Sequence, residues 1–189
     1  MIDAVELYCQ SESSCIVAYF YFDFNDPQKQ QASSLLRSLL TQLSTQSPRC
    51  PDVLVNLHSE CQKRRRQATS ADFLNAIKDI LENYDHAYIF LDALDECSDR
   101  DRLLWLLTQL SDWQLSSLHL AATSRTERWI EDRVAHLVSV QIGLDSHLVD
   151  ADIRIYLNSL LAVDPRFKKW SVEERGEIES TLMRDAHGM

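Results

Sequence analysis

Asp92, Asp95 and Glu96 place three carboxylates within five residues, in the stretch AYIFLDALDEC. The apolar residues ahead of them are of strand length, so a buried strand runs directly into a cluster of like charges. Such charges repel unless something positive lies among them. Two arrangements meet the need. A carboxylate at the carboxyl end of a parallel strand commonly holds a magnesium ion bound to nucleotide phosphates, and a divalent cation would relieve the repulsion. Alternatively the strand ends in a solvated acidic turn, with Ser98 and Asp99 opening the next helix. Downstream, LHLAATS at 118–124 has strand composition and leads into Arg125. An arginine at the end of a neighbouring strand can reach a terminal phosphate, although Thr-Ser-Arg alone reads equally as an ordinary surface arginine.

Other chemistries find little support. Cys97 has no identifiable histidine or asparagine partner that would make it a nucleophile. Asp-Ala-Leu-Asp-Glu lacks the DxDx[TV] spacing of aspartate-nucleophile phosphatases. The six histidines show no ligand spacing; His86 and His119 flank strands and read as structural or exposed. The five cysteines, Cys9, Cys15, Cys50, Cys61 and Cys97, are odd in number and form no CxxC pair. That argues against a disulfide framework or zinc site and fits a reducing, cytoplasmic setting. The tryptophans, Trp105, Trp113, Trp129 and Trp170, read as packing residues rather than a binding cage.

A net charge of −10 argues against a nucleic-acid partner. The one basic run, Lys63-Arg64-Arg65-Arg66, closes an apolar periodic segment, where it complements a helix dipole or offers a docking patch. No stretch approaches the roughly 20 apolar residues of a membrane span, and no signal peptide opens the chain. Glycine is scarce: Gly143, Gly176 and Gly188 are the whole complement. Average usage of about 7% would give roughly thirteen. No glycine-rich phosphate loop can be built from three.

The elements that must position the acids alternate between strand and helix. Ile2, Val5 and Cys9 have helical spacing. CIVAYFYFDF at 15–24 is aromatic and β-branched, a buried strand. Asp26-Pro27 predicts a helix start, with Leu35, Leu36, Leu39, Leu40 and Leu43 on one face. Pro48 and Pro51 interrupt before a helix through Val53, Leu57 and Cys61. Thr69 or Ser70 caps a helix carrying Phe73, Leu74, Ile77, Ile80 and Leu81. Strand 88–92 follows, then Ser98-x-x-Asp101, which resembles a capping box. Strand 118–124, a short helix after Arg125 and a fourth strand at 137–142 complete the alternation. Asp150 caps a helix through Leu161, and Ser171-x-x-Glu174 is a capping box for the last. The pattern predicts an α/β fold with a parallel sheet of about four strands covered on both faces, ordered 16–24, 88–92, 118–124, 137–142. A nucleotide-binding core over 1–144 and a small helical lobe over 145–189 are expected.

The ordered set AYFYFDFND, AYIFLDALDEC and LHLAATSRTERWI resembles the NACHT-type NTPase domains of fungal STAND proteins, the nephrocystin-like N-terminal domains. LDALDEC is the most specific part. The resemblance implies a phosphate-loop NTPase fold acting as an ATP- or GTP-dependent signalling switch, with Mg2+ as cofactor. It implies Asp92 as the magnesium acid, Glu96 or Asp95 as the acid orienting the attacking water, and Arg125 as the sensor arginine. Nucleotide is the implied partner, with self-association or protein partners beside it, and no membrane. Asp23 and Asn25 recur in such domains and are assigned no chemistry.

One departure is large. The family's Walker A loop, GxxxxGK[ST], is absent, and the stretch that follows it in the family begins here at Met1. The expectation is a chain cut just after that loop, lacking the strand that carries it. The competing reading is a catalytically dead interaction module. Because the loop's N–H groups and lysine supply most phosphate contacts, this chain is expected to bind ATP-magnesium weakly or not at all. Isothermal titration checks this; a dissociation constant in the low micromolar range contradicts it.

Overall fold

The computed structural model describes residues 2–46, 50–143, 146–167 and 169–186. Pro48 and the His187-Gly188-Met189 end lie outside them. Two compact units divide the chain, 1–138 and 139–189.

In the first unit, helix α1 (Ile2–Ser11) leads into strand β1 (Cys15–Tyr21). Helices α2 (Ala32–Gln46), α3 (Cys50–Lys63) and α4 (Ser70–Leu81) precede β2 (His86–Asp92). Then come α5 (Arg100–Asp112), β3 (Leu118–Ala122) and α6 (Arg128–Val134). The strands form one parallel sheet in the order β1-β2-β3. Cys15 pairs with His86 and Tyr21 with Asp92; Ala87 pairs with Leu118 and Leu91 with Ala122.

Alternation along the strands sends one set of side chains to each face. Ile16, Ala18, Phe20, Ala87, Ile89 and Leu91 meet the leucine faces of α2, α4 and α5 and form the core. Leu35, Leu36, Leu39 and Leu43 of α2 are fully buried, as their spacing predicts. The outer edge of β1 is closed by two glutamines of α2. Gln42 accepts from Tyr19 N at 3.0 Å and donates to Tyr19 O at 2.7 Å; Gln46 does the same for Val17 at 3.3 and 2.7 Å. These side-chain amides stand where a fourth strand's peptides would, satisfying backbone groups that water or a partner would otherwise claim.

Several expectations are corrected. The fourth strand does not form. After Leu137 packs on the core in a 3-10 turn (Ala135–Leu137), the chain runs on without strand pairing. Val138, Val140 and Ile142 are 45, 72 and 81% exposed, because period-2 alternation makes a strand only where an edge and a buried face receive it. The sheet therefore has three strands, and 139–143 fall in the second unit. Asp26-Pro27 opens a turn, not a helix: Asp26 Oδ1 accepts from Gln28 N at 2.9 Å, and α2 waits until Ala32. Ser98 and Asp101 form no capping box. Asp99 is the cap residue of α5 and makes no side-chain cap bond, while Ser98 N and Oγ both donate to Gln30 O, at 3.0 and 3.2 Å.

The second unit holds α7 (Ser146–Val163) and α8 (Val172–Ala186). Helix α7 begins before Asp150, which sits inside it and not at its cap. The Ser171–Glu174 capping box is formed, with Glu174 accepting from Ser171 N at 2.7 Å and Ser171 Oγ from Glu174 N at 3.2 Å. Arg175 braces the pair by donating to Leu161 O at 3.4 Å and Trp170 O at 3.1 Å.

The basic run is mostly a solvated helix end, with Lys63 and Arg64 pairing with Glu60 at 2.8 and 3.7 Å. Arg66 differs. It forks onto Asp72, donating from Nη2 at 2.9 Å, while Asp72 completes a capping box with Thr69. The guanidinium, then the Thr69 hydroxyl and N–H, hold the Asp72 carboxyl well below the usual carboxylate range. A folded-state pKa depressed in this way stabilises the fold above the ordinary value of about 3.9 and loses that contribution as pH falls through and below it. Asp72→Ala is expected to cost about 1 kcal/mol at pH 7 and to flatten the stability profile on the acid side. Urea melts from pH 7 down to pH 3 measure both.

Candidate functional site

Parallel pairing brings the carboxyl ends of β1, β2 and β3 together, and each contributes a segment. From β1, Phe22 N donates to Asp92 O at 3.1 Å, carrying the ladder one step past the strand. From β3, Thr123 N donates to Leu91 O at 2.9 Å and Leu94 N to Thr123 O at 3.0 Å. Between these hydrogen bonds Ala93 takes the left-handed conformation (φ 56°, ψ 53°), turning the chain into a 3-10 turn, Leu94–Glu96. Leu94 is buried beneath that turn, so Asp95 and Glu96 are held close to the sheet rather than released to solvent.

The structure gathers all four residues singled out from the sequence, Asp92, Asp95, Glu96 and Arg125, and assigns each carboxylate a different partner. Asp92 accepts a short hydrogen bond from the Thr123 hydroxyl, which in turn accepts from Ala93 N at 3.1 Å. Asp95 accepts from Arg125 N at 3.0 Å and Ser124 Oγ at 3.3 Å. Glu96 accepts from Phe24 N at 2.8 Å. The Arg125 side chain lies between the last two acids, 3.7 Å from Asp95 and 4.0 Å from Glu96. One cation and three main-chain N–H groups (Ala93 acting through Thr123) thus offset the repulsion that the sequence poses. The guanidinium contacts are long and Arg125 is 60% exposed, so they hold it loosely.

Asp95, Glu96 and Arg125 open onto a cleft of about 590 Å³, lined also by Phe24, Gln30 and Ser98 among others; Asp92 and Thr123 do not line it. Its far wall is the 22–31 segment. Asp23 accepts from Asn25 N at 2.9 Å, and Gln30 Nε2 donates to Phe24 O at 2.6 Å. Asp23, Asn25 and Gln30 therefore shape the turn that aims Phe24 N–H at Glu96, a role sequence reading left unassigned. Burial pushes the Cys97 thiol up, and it donates to Gln30 O at 3.3 Å. That is the environment of a structural thiol, not a nucleophile.

Magnesium sets definite demands on a donor set. This ion keeps several waters and takes one or two carboxylates alongside substrate phosphates. Asp92 and the Thr123 hydroxyl, at the end of the central strand, offer one carboxylate and one neutral oxygen, which fits an ion arriving with phosphate. Asp95 and Glu96 turn away toward Arg125 and Phe24. Among the described residues no three His, Cys, Asp or Glu side chains converge to hold an ion unaided.

A parallel sheet flanked by helices, with polar groups converging at the strands' carboxyl ends, defines an α/β protein; in open α/β sheets ligands as a rule gather at those ends. The chain belongs to the nephrocystin 3 N-terminal family, which matches residues 1–125. The match spans β1 to β3 and ends on Arg125; no curated protein and no solved structure matches. No helix among the described residues is long and apolar enough to cross a membrane.

Glu96→Ala leaves Phe24 N–H without its acceptor. Exchange of that amide is expected to accelerate about tenfold, in line with the roughly 1.5 kcal/mol of a hydrogen bond to a charged group, while Ile89 and Leu91 amides stay protected. Hydrogen exchange followed by NMR reads both.

Proposed function

We propose that the carboxyl end of this sheet is the acidic half of a magnesium-nucleotide switch. Asp92 is the metal acid, Glu96 the acid that orients the attacking water with Asp95 as its alternate, and Arg125 the residue that senses a terminal phosphate. The observation that carries the reading is the separation of roles. Asp92 is held by a neutral hydroxyl and keeps its charge available, whereas Asp95 and Glu96 are already offset. Arg125 is exposed and weakly engaged, so its exchange from carboxylate to phosphate is cheap. The nucleotide in this reading is ATP or GTP.

The phosphate cradle is the other half, and this sequence holds no GxxxxGK[ST]. In this reading a strand bearing one would seat at the β3 edge. Gln42 and Gln46 close the β1 edge, whereas β3 pairs with no strand but β2 among the described residues, and Leu120 there is 40% exposed. A strand seated on β3 would end beside Thr123 and Arg125. A catalytically silent interaction module is the second reading, favoured by that same open edge.

Manganese, a paramagnetic stand-in for magnesium, tests the assignment on the chain as it is. Submillimolar Mn2+ is expected to broaden the amides of Asp92, Ala93 and Thr123 first, and Asp92→Asn to weaken the effect at least tenfold, the loss of about 1.4 kcal/mol. Broadening centred elsewhere, or unchanged in Asp92→Asn, rejects the metal role and leaves the interaction module.

A further inference from the structure

At the other end of the sheet lies a site the sequence does not disclose. His86 opens β2 and His119 is the second residue of β3. Tyr88 pairs in register with His119, and His86, two residues before Tyr88, points to the same face. His86 Nδ1 and His119 Nε2 face each other at 3.3 Å, with ring centroids 5.5 Å apart. Tyr88 stacks on His119 at 4.8 Å and limits its rotation. The strands beneath are fixed: Ala87 N donates to Ser117 O at 2.8 Å and His86 N to Ser14 O at 3.3 Å.

For a neutral imidazole pair sharing one proton, 3.3 Å is longer than the 2.9–3.0 Å at which N–H donors usually sit. It suits a different guest. In a tetrahedral zinc site with Zn–N near 2.0–2.1 Å, two ligand nitrogens lie about 3.3 Å apart. We propose that His86 and His119 form a cross-strand chelate for an imidazole-preferring divalent transition metal, zinc or nickel. Each ring contributes the lone pair of the nitrogen that now faces its partner; the ring whose facing nitrogen carried the shared proton gives it up to solvent and takes a proton on its far nitrogen, so both ligands stay neutral. No third His, Cys, Asp or Glu joins them among the described residues, so the remaining positions are open to water or an outside ligand. Both rings are exposed, so the ion needs no entry path. Imidazole ligands favour zinc and nickel over magnesium. The site is therefore separate in place and in metal from the acids at the strands' carboxyl ends.

The test titrates metal-free protein with zinc chloride and nickel chloride, following heat and the ring-proton resonances of the histidines. Saturable one-to-one binding with a dissociation constant below about 1 mM is expected, with His86 and His119 resonances moving and those of His58 and His136 unmoved. His86→Gln and His119→Gln should each weaken it by on the order of tenfold or more. Affinity should fall as pH drops, since protonated imidazole has no lone pair to give. Magnesium should leave these resonances in place. Movement of other histidines instead, binding retained by both variants, or no saturation overturns the site. None of these outcomes bears on Asp92.

Discussion

Everything at the carboxyl end of the sheet depends on β2 holding both neighbours in parallel register. A shift of one residue would turn Ile89 and Leu91 from the core to the opposite face and carry Asp92 away from Thr123. The register is secured twice. Apolar side chains of β2 are buried on both faces, and the ladder continues past the strand ends through Phe22 N–Asp92 O and Thr123 N–Leu91 O. The acidic turn is thereby fixed by the same peptides that finish the sheet.

That continuity explains how three carboxylates coexist beside an apolar core. Each is given its own hydrogen-bond donors, Asp92 and Asp95 from the segment after β3 and Glu96 from the segment after β1, and the guanidinium is shared between two of them. The contrast between the sheet's edges follows similar reasoning. On the β1 side, two glutamines complete the backbone's hydrogen bonds in the manner of a strand that adds no width. On the β3 side nothing equivalent is present among the described residues. Among the described residues the β1 edge is closed by side chains and the β3 edge pairs with no further strand, and the β3 edge is the one that borders Arg125.

The strands and the main helical faces were legible because each needs only local information. β1 and β2 are continuous apolar runs, and the α2 and α4 faces follow helical spacing. Asp92, Asp95, Glu96 and Arg125 were legible as types in a motif. Their partners were not. Thr123 reaches Asp92, and Phe24 N–H reaches Glu96, only through a register set by residues far apart in the chain, and the His86–His119 pair is hidden for the same reason. The failures have local causes. Val138-Ser139-Val140-Gln141-Ile142 alternates as a strand does but finds no edge; Asp26 prefers its own turn; Ser98 is drawn to Gln30 O and so leaves the helix start uncapped by any side chain.

The two halves of the acidic turn also assemble over different spans of chain. Between Ala87 and its partner Leu118 the separation is 118 − 87 = 31 residues, and between Cys15 and His86 it is 86 − 15 = 71. Closing the longer span costs about 0.7 kcal/mol more entropy for an ideal chain, and it must bring α2, α3 and α4 with it. Folding therefore favours β2 finding β3 first, which joins Asp92 to Thr123 and Asp95 to Arg125 early. Glu96 meets Phe24 only when β1 docks. The contact that closes the longer span is also the one that walls the cleft, so loosening of β1 would open the cleft while leaving Asp92 joined to Thr123 and Asp95 to Arg125.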